Sequence, residues 1–241
     1  MRPDEGKPYY TAYDKRYKSA YAQGADHWLY LPEYEATKSV INKYVSRYKL
    51  AGKKIVDFGC GEGLFGIEFA KLGCVYQGYD VALSVIVKAR ELLSTYPNAI
   101  ADYLDLVTDP FPGEMFDAGI DIACLHMLVT DIVRTKYLGN VFRSLKPDAP
   151  MFFVNEAWRV DAFKGEVSSY EQWLDISRDD VDTPTERAAV KDGKVIPVKI
   201  PLIAARARTR SDYEEELSAA GFRISEIVES ETNINVLVIR G

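Results

Sequence analysis

The chain has 241 residues, 47% of them hydrophobic, and a formal net charge of −6, which suits one large α/β domain and, with no long Lys/Arg run, argues against nucleic acid as a partner. Its cysteines, Cys60, Cys74 and Cys124, form no C-x-x-C pair, so neither a disulfide framework nor a zinc knuckle is implied and a reducing, cytoplasmic setting is expected. The first ten residues hold no apolar signal-peptide core, and no apolar run is long enough to span a bilayer.

Residues 1–31 are rich in tyrosine. Tyr10, Tyr13, Tyr17 and Tyr21 recur at helical spacing, giving one aromatic face, with His27, Trp28 and Tyr30 following. That face either packs on the domain or closes over a ligand as a lid. Pro32 suits the first turn of a helix whose inner face is Val40, Ile41, Tyr44, Val45 and Tyr48 and which Gly52 ends. Ile55-Val56 then runs into Asp57, glycines follow at 59, 61 and 63, and a helical pattern begins at Leu64. This is a buried strand, a tight turn and a helix. A nucleotide-like ligand fits such a turn, since glycine brings no Cβ and the helix N-terminus offers free N–H groups. Cys60 is read as a small residue beside that ligand.

A second strand, 75–79, ends in Asp80. That acid suits the two hydroxyls of a ribose or, alternatively, caps the helix predicted over 82–93. A short strand over 99–104 leads to Asp105. The run 118–128 reads as a fourth strand and its exit. Asp131 caps a helix with Val133, Tyr137, Val141, Phe142 and Leu145 inside, and 151–155 is a fifth strand followed by Glu156. Residues 157–210, with Trp158, Tyr170 and Trp173, read as a cap inserted between core elements; Pro197 and Pro201 bar a regular central strand there. Arg206, Arg208 and Arg210 alternate, facing either solvent or an anionic acceptor. A helix over 211–220, with Ser211 as N-cap and Glu214 closing a capping box, precedes strands at 222–229 and 235–240.

Two glycine patterns overlap in the turn. Gly61, Gly63 and Gly66 form G-x-G-x-x-G, the dinucleotide pattern, which makes an NAD(P)-linked oxidoreductase one reading. Asp57, Gly59, Gly61 and Gly63 form D-x-G-x-G-x-G, which resembles the first motif of class I S-adenosylmethionine-dependent methyltransferases of the small-molecule type. Asp57 would repel a pyrophosphate, whereas a carboxylate suits an ammonium and a sulfonium. The segment Leu125-His126-Met127-Leu128 resembles the Leu-His-x-Leu of that family, and Leu145-Lys146-Pro147-Asp148-Ala149 resembles its Leu-Lys-Pro-Gly-Gly turn with the glycines replaced.

The resemblance covers residues 52–156 and 211–241. It implies a doubly wound, seven-stranded, mostly parallel sheet closed by a C-terminal antiparallel hairpin. It implies S-adenosylmethionine as cofactor, S-adenosylhomocysteine as product and a small-molecule acceptor whose O, N, S or C atom stays open, as does the oligomeric state. Asp57, Gly59, Cys60 and Gly61 would hold the methionine end, Asp80 with Val81 the ribose, and Asp105 with Leu106 the adenine, Asp102 being the alternative acid; Leu125 would line the cofactor. His126 and Glu156 would face the acceptor as bases or orienting groups, His126 alternatively only packing there. Tyr13, Tyr17, Trp28, Tyr30, Trp158 and Arg206 are candidates for acceptor contacts, and Arg16 for the cofactor carboxylate or the substrate. No metal site is expected. A protein of this fold that binds the cofactor without transfer is the third reading.

Overall fold

The structure, a computed structural model, describes residues 6–28, 31–111 and 115–241, apart from the side chains of residues 31–33. After helices α1 (Tyr13–Ala22) and α2 (Leu31–Tyr48), the chain alternates strands β1 (Lys54–Phe58), β2 (Val75–Asp80), β3 (Ala99–Tyr103), β4 (Ala118–Ile122) and β5 (Pro150–Ala157) with helices α3 (Leu64–Lys71), α4 (Leu83–Leu93) and α5 (Asp131–Ser144). Strands covered on both faces read as short apolar runs, and Ile55, Val56, Phe58, Ala118 and Ile120 are fully buried. Helix α6 (Tyr170–Ser177), strands β6 (Thr185–Lys191) and β7 (Lys194–Ile200), helix α7 (Arg210–Ala219) and strands β8 (Phe222–Glu229) and β9 (Asn233–Arg240) complete the chain.

The main sheet has seven strands in the order β3-β2-β1-β4-β5-β9-β8. The pairs among β1 to β5 are parallel, and β9 runs antiparallel to both its neighbours. The expected closing hairpin is therefore present. Strand order reverses between β1 and β4, so a crevice opens there at the carboxyl ends of the strands. One apolar cluster packs α2, α3 and α4 on one face, and a second packs α5 and α7 on the other.

Outside the sheet, β6 and β7 form a two-stranded antiparallel ribbon. Its open edges tolerate Pro197 within a strand. Ala20 and Ala25 of the N-terminal segment pack on Ala189, Val198 and Ile200 of this ribbon, and the backbone N–H of Asp26 donates to the Val190 carbonyl at 2.7 Å. The tyrosine-rich segment and the ribbon thus form one layer over the carboxyl ends of the strands. Among the described residues no helix is long and apolar enough to cross a membrane.

The start of α7 corrects the expectation of Ser211 and Glu214. Thr209 is the N-cap: its hydroxyl accepts from the Asp212 N–H at 3.2 Å and Asp212 accepts from the Thr209 N–H at 2.9 Å. The capping box sits two residues earlier because Thr209 already carries the extended backbone that a cap requires.

Candidate active site

The glycine turn is shaped by what lies against it. Gly59 has φ +77°, and a Cβ there would come within 2.5 Å of Cys124 Sγ. At the end of β1, Asp57 turns beneath the turn and accepts from the Tyr76 hydroxyl at 2.7 Å, while its Oδ1 is buried without a partner. Burial pushes Asp57 up to about 7, against the pull of the Tyr76 hydrogen bond. Asp80, at the end of β2, accepts from the Gly61 N–H at 3.0 Å and the Ala82 N–H at 2.8 Å. It braces the turn and lies N-terminal to Ala82, which is the N-cap of α4. Asp105 faces the same crevice, whereas Asp102 pairs with Arg90 on the outer edge of the sheet.

The N-terminal segment roofs this crevice through long-range bonds. Tyr10 donates to both Asp105 oxygens at 3.1 and 3.2 Å. Glu62, within the glycine turn, accepts from the Tyr21 hydroxyl at 2.9 Å and the Trp28 N–H at 3.1 Å. Arg16 is only 7% exposed; its guanidinium lies 4.4 Å from the Trp28 ring and 5.3 Å from that of Tyr13. Arg16 Nε has no partner, and no described carboxylate lies within ion-pair distance of this side chain.

The opposite wall comes from the exits of β4 and β5. The pairing of β5 with β9 shifts between Phe153 and Glu156, where Asn155 takes φ +58°. Such a bulge re-aims the next side chain, and Glu156 points into the interior, fully buried. There its Oε2 accepts from the His126 backbone N–H at 2.7 Å and meets His126 Nδ1 at 2.9 Å. The His126 ring is 13% exposed and lines the crevice. Burial drives His126 down to about 4 and Glu156 up to about 7, so at neutral pH the ring is uncharged.

These walls enclose a cavity of about 700 Å³, within the range of sites that hold a cofactor-sized ligand. Asp57, Gly59, Cys60, Gly61, Asp80, Val81, Asp105, Leu106, Tyr13, Tyr17, Trp28 and His126 all line it. Tyr30 lies outside the described residues. Four sequence candidates are placed elsewhere. Leu125 is fully buried and its carbonyl accepts from Arg134. Glu156 stands behind His126 and off the cavity wall. The Trp158 indole donates to the Ser230 carbonyl at 2.9 Å. Arg206, expected to face either solvent or an anionic acceptor, is fully buried, donating to the Val129 and Gly165 carbonyls and to Asp131 at 2.7 Å. An alternating arginine run thus conceals an internal clamp, because the loop before α7 turns this guanidinium inward.

Cavity residues that sequence reasoning passed over include Glu62, Asn155 and Arg187, and Tyr10 of the aromatic face lines the cavity too. Only the position of Glu62 between two turn glycines hinted at a role.

The site suits the cofactor implied by the sequence. Asp57 Oδ1 is a buried acceptor, Arg16 is a buried cation that pairs with no carboxylate among the described residues, and the glycines of the turn bring no side chains into the cavity. These complement an amino acid's ammonium and carboxylate beside a nucleoside.

Comparisons with known proteins agree. Residues 55–148 match the family model described as a methyltransferase domain. Ubiquinone biosynthesis O-methyltransferase of Pseudomonas fluorescens is 27% identical over 113 residues, covering 47% of this chain. The chain spans about half the length of the curated relatives it matches, 48% in that case. Among solved structures, the S-adenosylmethionine-bound amino pentose methyltransferase CalS10 of Micromonospora echinaspora superposes with a TM-score of 0.61 at 16% identity, covering 88% of this chain and 98% of that one. The cyclase SpnF superposes with a TM-score of 0.62 at 18% identity, covering 90% of this chain and 72% of that one.

Proposed function

We propose that this chain, whose residues 55–148 match the model of a methyltransferase domain, methylates a hydroxyl of a small-molecule acceptor using S-adenosylmethionine. The observation that carries this reading is the His126 ring: Nδ1 is held by buried Glu156 while the ring lines the same cavity as Asp57, Gly59 and Asp80. With Glu156 accepting at Nδ1, the lone pair sits on Nε2, the nitrogen left for the cavity. A neutral imidazole held in this way takes a proton from an acceptor hydroxyl. Thioether or carbon acceptors make no such demand. The relative's name, an O-methyltransferase, supports the same acceptor atom.

When bound, S-adenosylmethionine supplies a methyl group on a positively charged sulfur. The chain's own residues position and protect. Asp57 Oδ1 and Arg16 meet the ammonium and carboxylate, Asp80 the ribose, and Asp105 with Leu106 the adenine. The tyrosine-rich segment acts as a lid and the ribbon as a cap; together they exclude water and hold the acceptor against Tyr13, Tyr17 and Trp28. Glu156 orients His126 and stabilises the imidazolium that forms.

Calorimetry with S-adenosylmethionine, S-adenosylhomocysteine and NADH comes first, followed by a screen of phenolic and alcoholic acceptors. Binding of the two adenosyl ligands but not NADH, and turnover that falls by ~10²–10⁴ in His126→Gln with cofactor affinity retained, is the expected result. NADH binding alone would return Gly61, Gly63 and Gly66 to the dinucleotide reading. Tight binding of the adenosyl ligands with no turnover on any acceptor would favour the competing reading of cofactor binding without transfer.

A further inference from the structure

Asp121 and Glu156 stand near the carboxyl ends of adjacent parallel strands, β4 and β5, and both are fully buried. Both carboxyl groups hold the same turn: Asp121 accepts from the Cys124 N–H and Glu156 from the His126 N–H two residues on. Three of their four oxygens have donors. Asp121 Oδ1 accepts from the Cys124 N–H at 2.8 Å and Oδ2 from the Tyr137 hydroxyl at 2.5 Å. Glu156 Oε2 accepts twice from His126. Glu156 Oε1 is buried with no donor among the described residues.

Two ionised carboxylates side by side in the interior, one with an empty oxygen, would repel each other and forgo solvation. The surroundings do not neutralise them. Asp57 of β1 adds a third acid close to Asp121. From α5, Tyr137 donates to Asp121, and Arg134, whose charge acts on Glu156, is bound to Glu216 of α7. Tyr213 of α7 and Cys124 face the pair as neutral groups. A proton on Oε1, donated towards Asp121, satisfies the orphan oxygen and removes one of the two charges.

We propose that Asp121 and Glu156 share a single proton, carried on Glu156 Oε1, and that this pair fixes His126 as the Nδ1–H tautomer with its Nε2 lone pair facing the cavity. With Oε1 protonated, Oε2 is a carbonyl-like oxygen that can only accept, so both His126 N–H groups must point at it. The pair keeps one net negative charge, which faces the imidazolium once His126 has taken a proton. Asp121 is therefore a positioning residue acting through Glu156; its catalytic meaning rests on the hydroxyl-transfer reading, while the shared proton does not. Burial raises both acids, Asp121 well above the usual carboxylate range, so the pair still holds a proton at neutral pH and releases it only towards alkaline pH.

The test is infrared difference spectroscopy on the whole protein from pH 5.5 to 9, with Glu156→Gln and Asp121→Asn, alongside nitrogen NMR of the imidazoles, where only two histidines compete. The expected result is a protonated-carboxyl carbonyl band that fades towards alkaline pH and is missing from Glu156→Gln, and an Nδ1–H tautomer at His126 in the unaltered protein. Asp57 adds a second such band, which persists in Glu156→Gln. An unchanged band in Glu156→Gln, or an Nε2–H tautomer at His126 in the unaltered protein, overturns the proposal. The NMR arm needs no variant to fold. Neither measurement uses cofactor or acceptor, so failure to bind adenosyl ligands would sink the methyl-transfer reading alone.

Discussion

Gly66→Ala sets two opposing effects against each other. Alanine in place of glycine within a helix gains ~1 kcal/mol, so propensity alone expects a more stable protein. The geometry of α3 against β2 reverses the sign. A Cβ at Gly66 would lie 2.5, 2.9 and 3.0 Å from Cε1, Cζ and Cδ1 of Tyr76. That ring cannot swing aside: it is 1% exposed, stacks on Phe69 at 5.8 Å and donates its hydroxyl to buried Asp57. Overpacking costs ~1–3 kcal/mol, and displacing the hydroxyl leaves a buried carboxylate without its donor, a further ~1–3 kcal/mol. The net is a loss of about 3 kcal/mol, or a fall in Tm of roughly 6–12 °C for a chain of this size. Thermal unfolding followed by circular dichroism measures it, and cofactor titration should show weaker binding because Asp57 moves. Adding Tyr76→Ala relieves the overlap, so the double variant should lose less than the sum of the two single losses. A Gly66→Ala protein at or above the parental Tm would refute the reasoning.

Two further outcomes follow from groups already placed. Asp57 is raised to about 7 by burial, so the free protein carries a proton there below that pH, and its contribution to stability is lost as pH rises through 7. A cationic ammonium against Oδ1 lowers that pKa, so S-adenosylmethionine affinity should rise from pH 6 to 8, and the binding heat at pH 6 should depend on the buffer's ionisation enthalpy; an affinity flat with pH would remove Asp57 from the ammonium. Arg206→Met should lower stability by about 2 kcal/mol, because breaking a buried pair strands its partners although Asp131 is 35% exposed and partly screened. Its KM for the acceptor should stay unchanged, and a raised KM with an unchanged Tm would restore Arg206 to the acceptor site.

The amino-acid sequence by itself determined the strand–turn–helix at residues 54–71, the acids at the carboxyl ends of three successive strands and the closing hairpin. Each is a matter of period, punctuation and turn chemistry between neighbours in the chain, which local sterics settle. The sequence also placed His126 at the exit of β4. What only the tertiary structure decided involves partners distant in the chain. Tyr10 reaches Asp105 across 95 residues and Glu156 reaches His126 across 30. Glu156 looked like an acceptor-facing acid and instead stands behind the ring, because a bulge at Asn155 turns it inward. Arg206 looked like a surface cation and is an internal clamp, because the Val129 and Gly165 carbonyls and Asp131 accept from its terminal nitrogens. Side-chain direction at a bulge, and the partner that makes burying a charge tolerable, depend on packing between remote segments, and no period in the sequence records them.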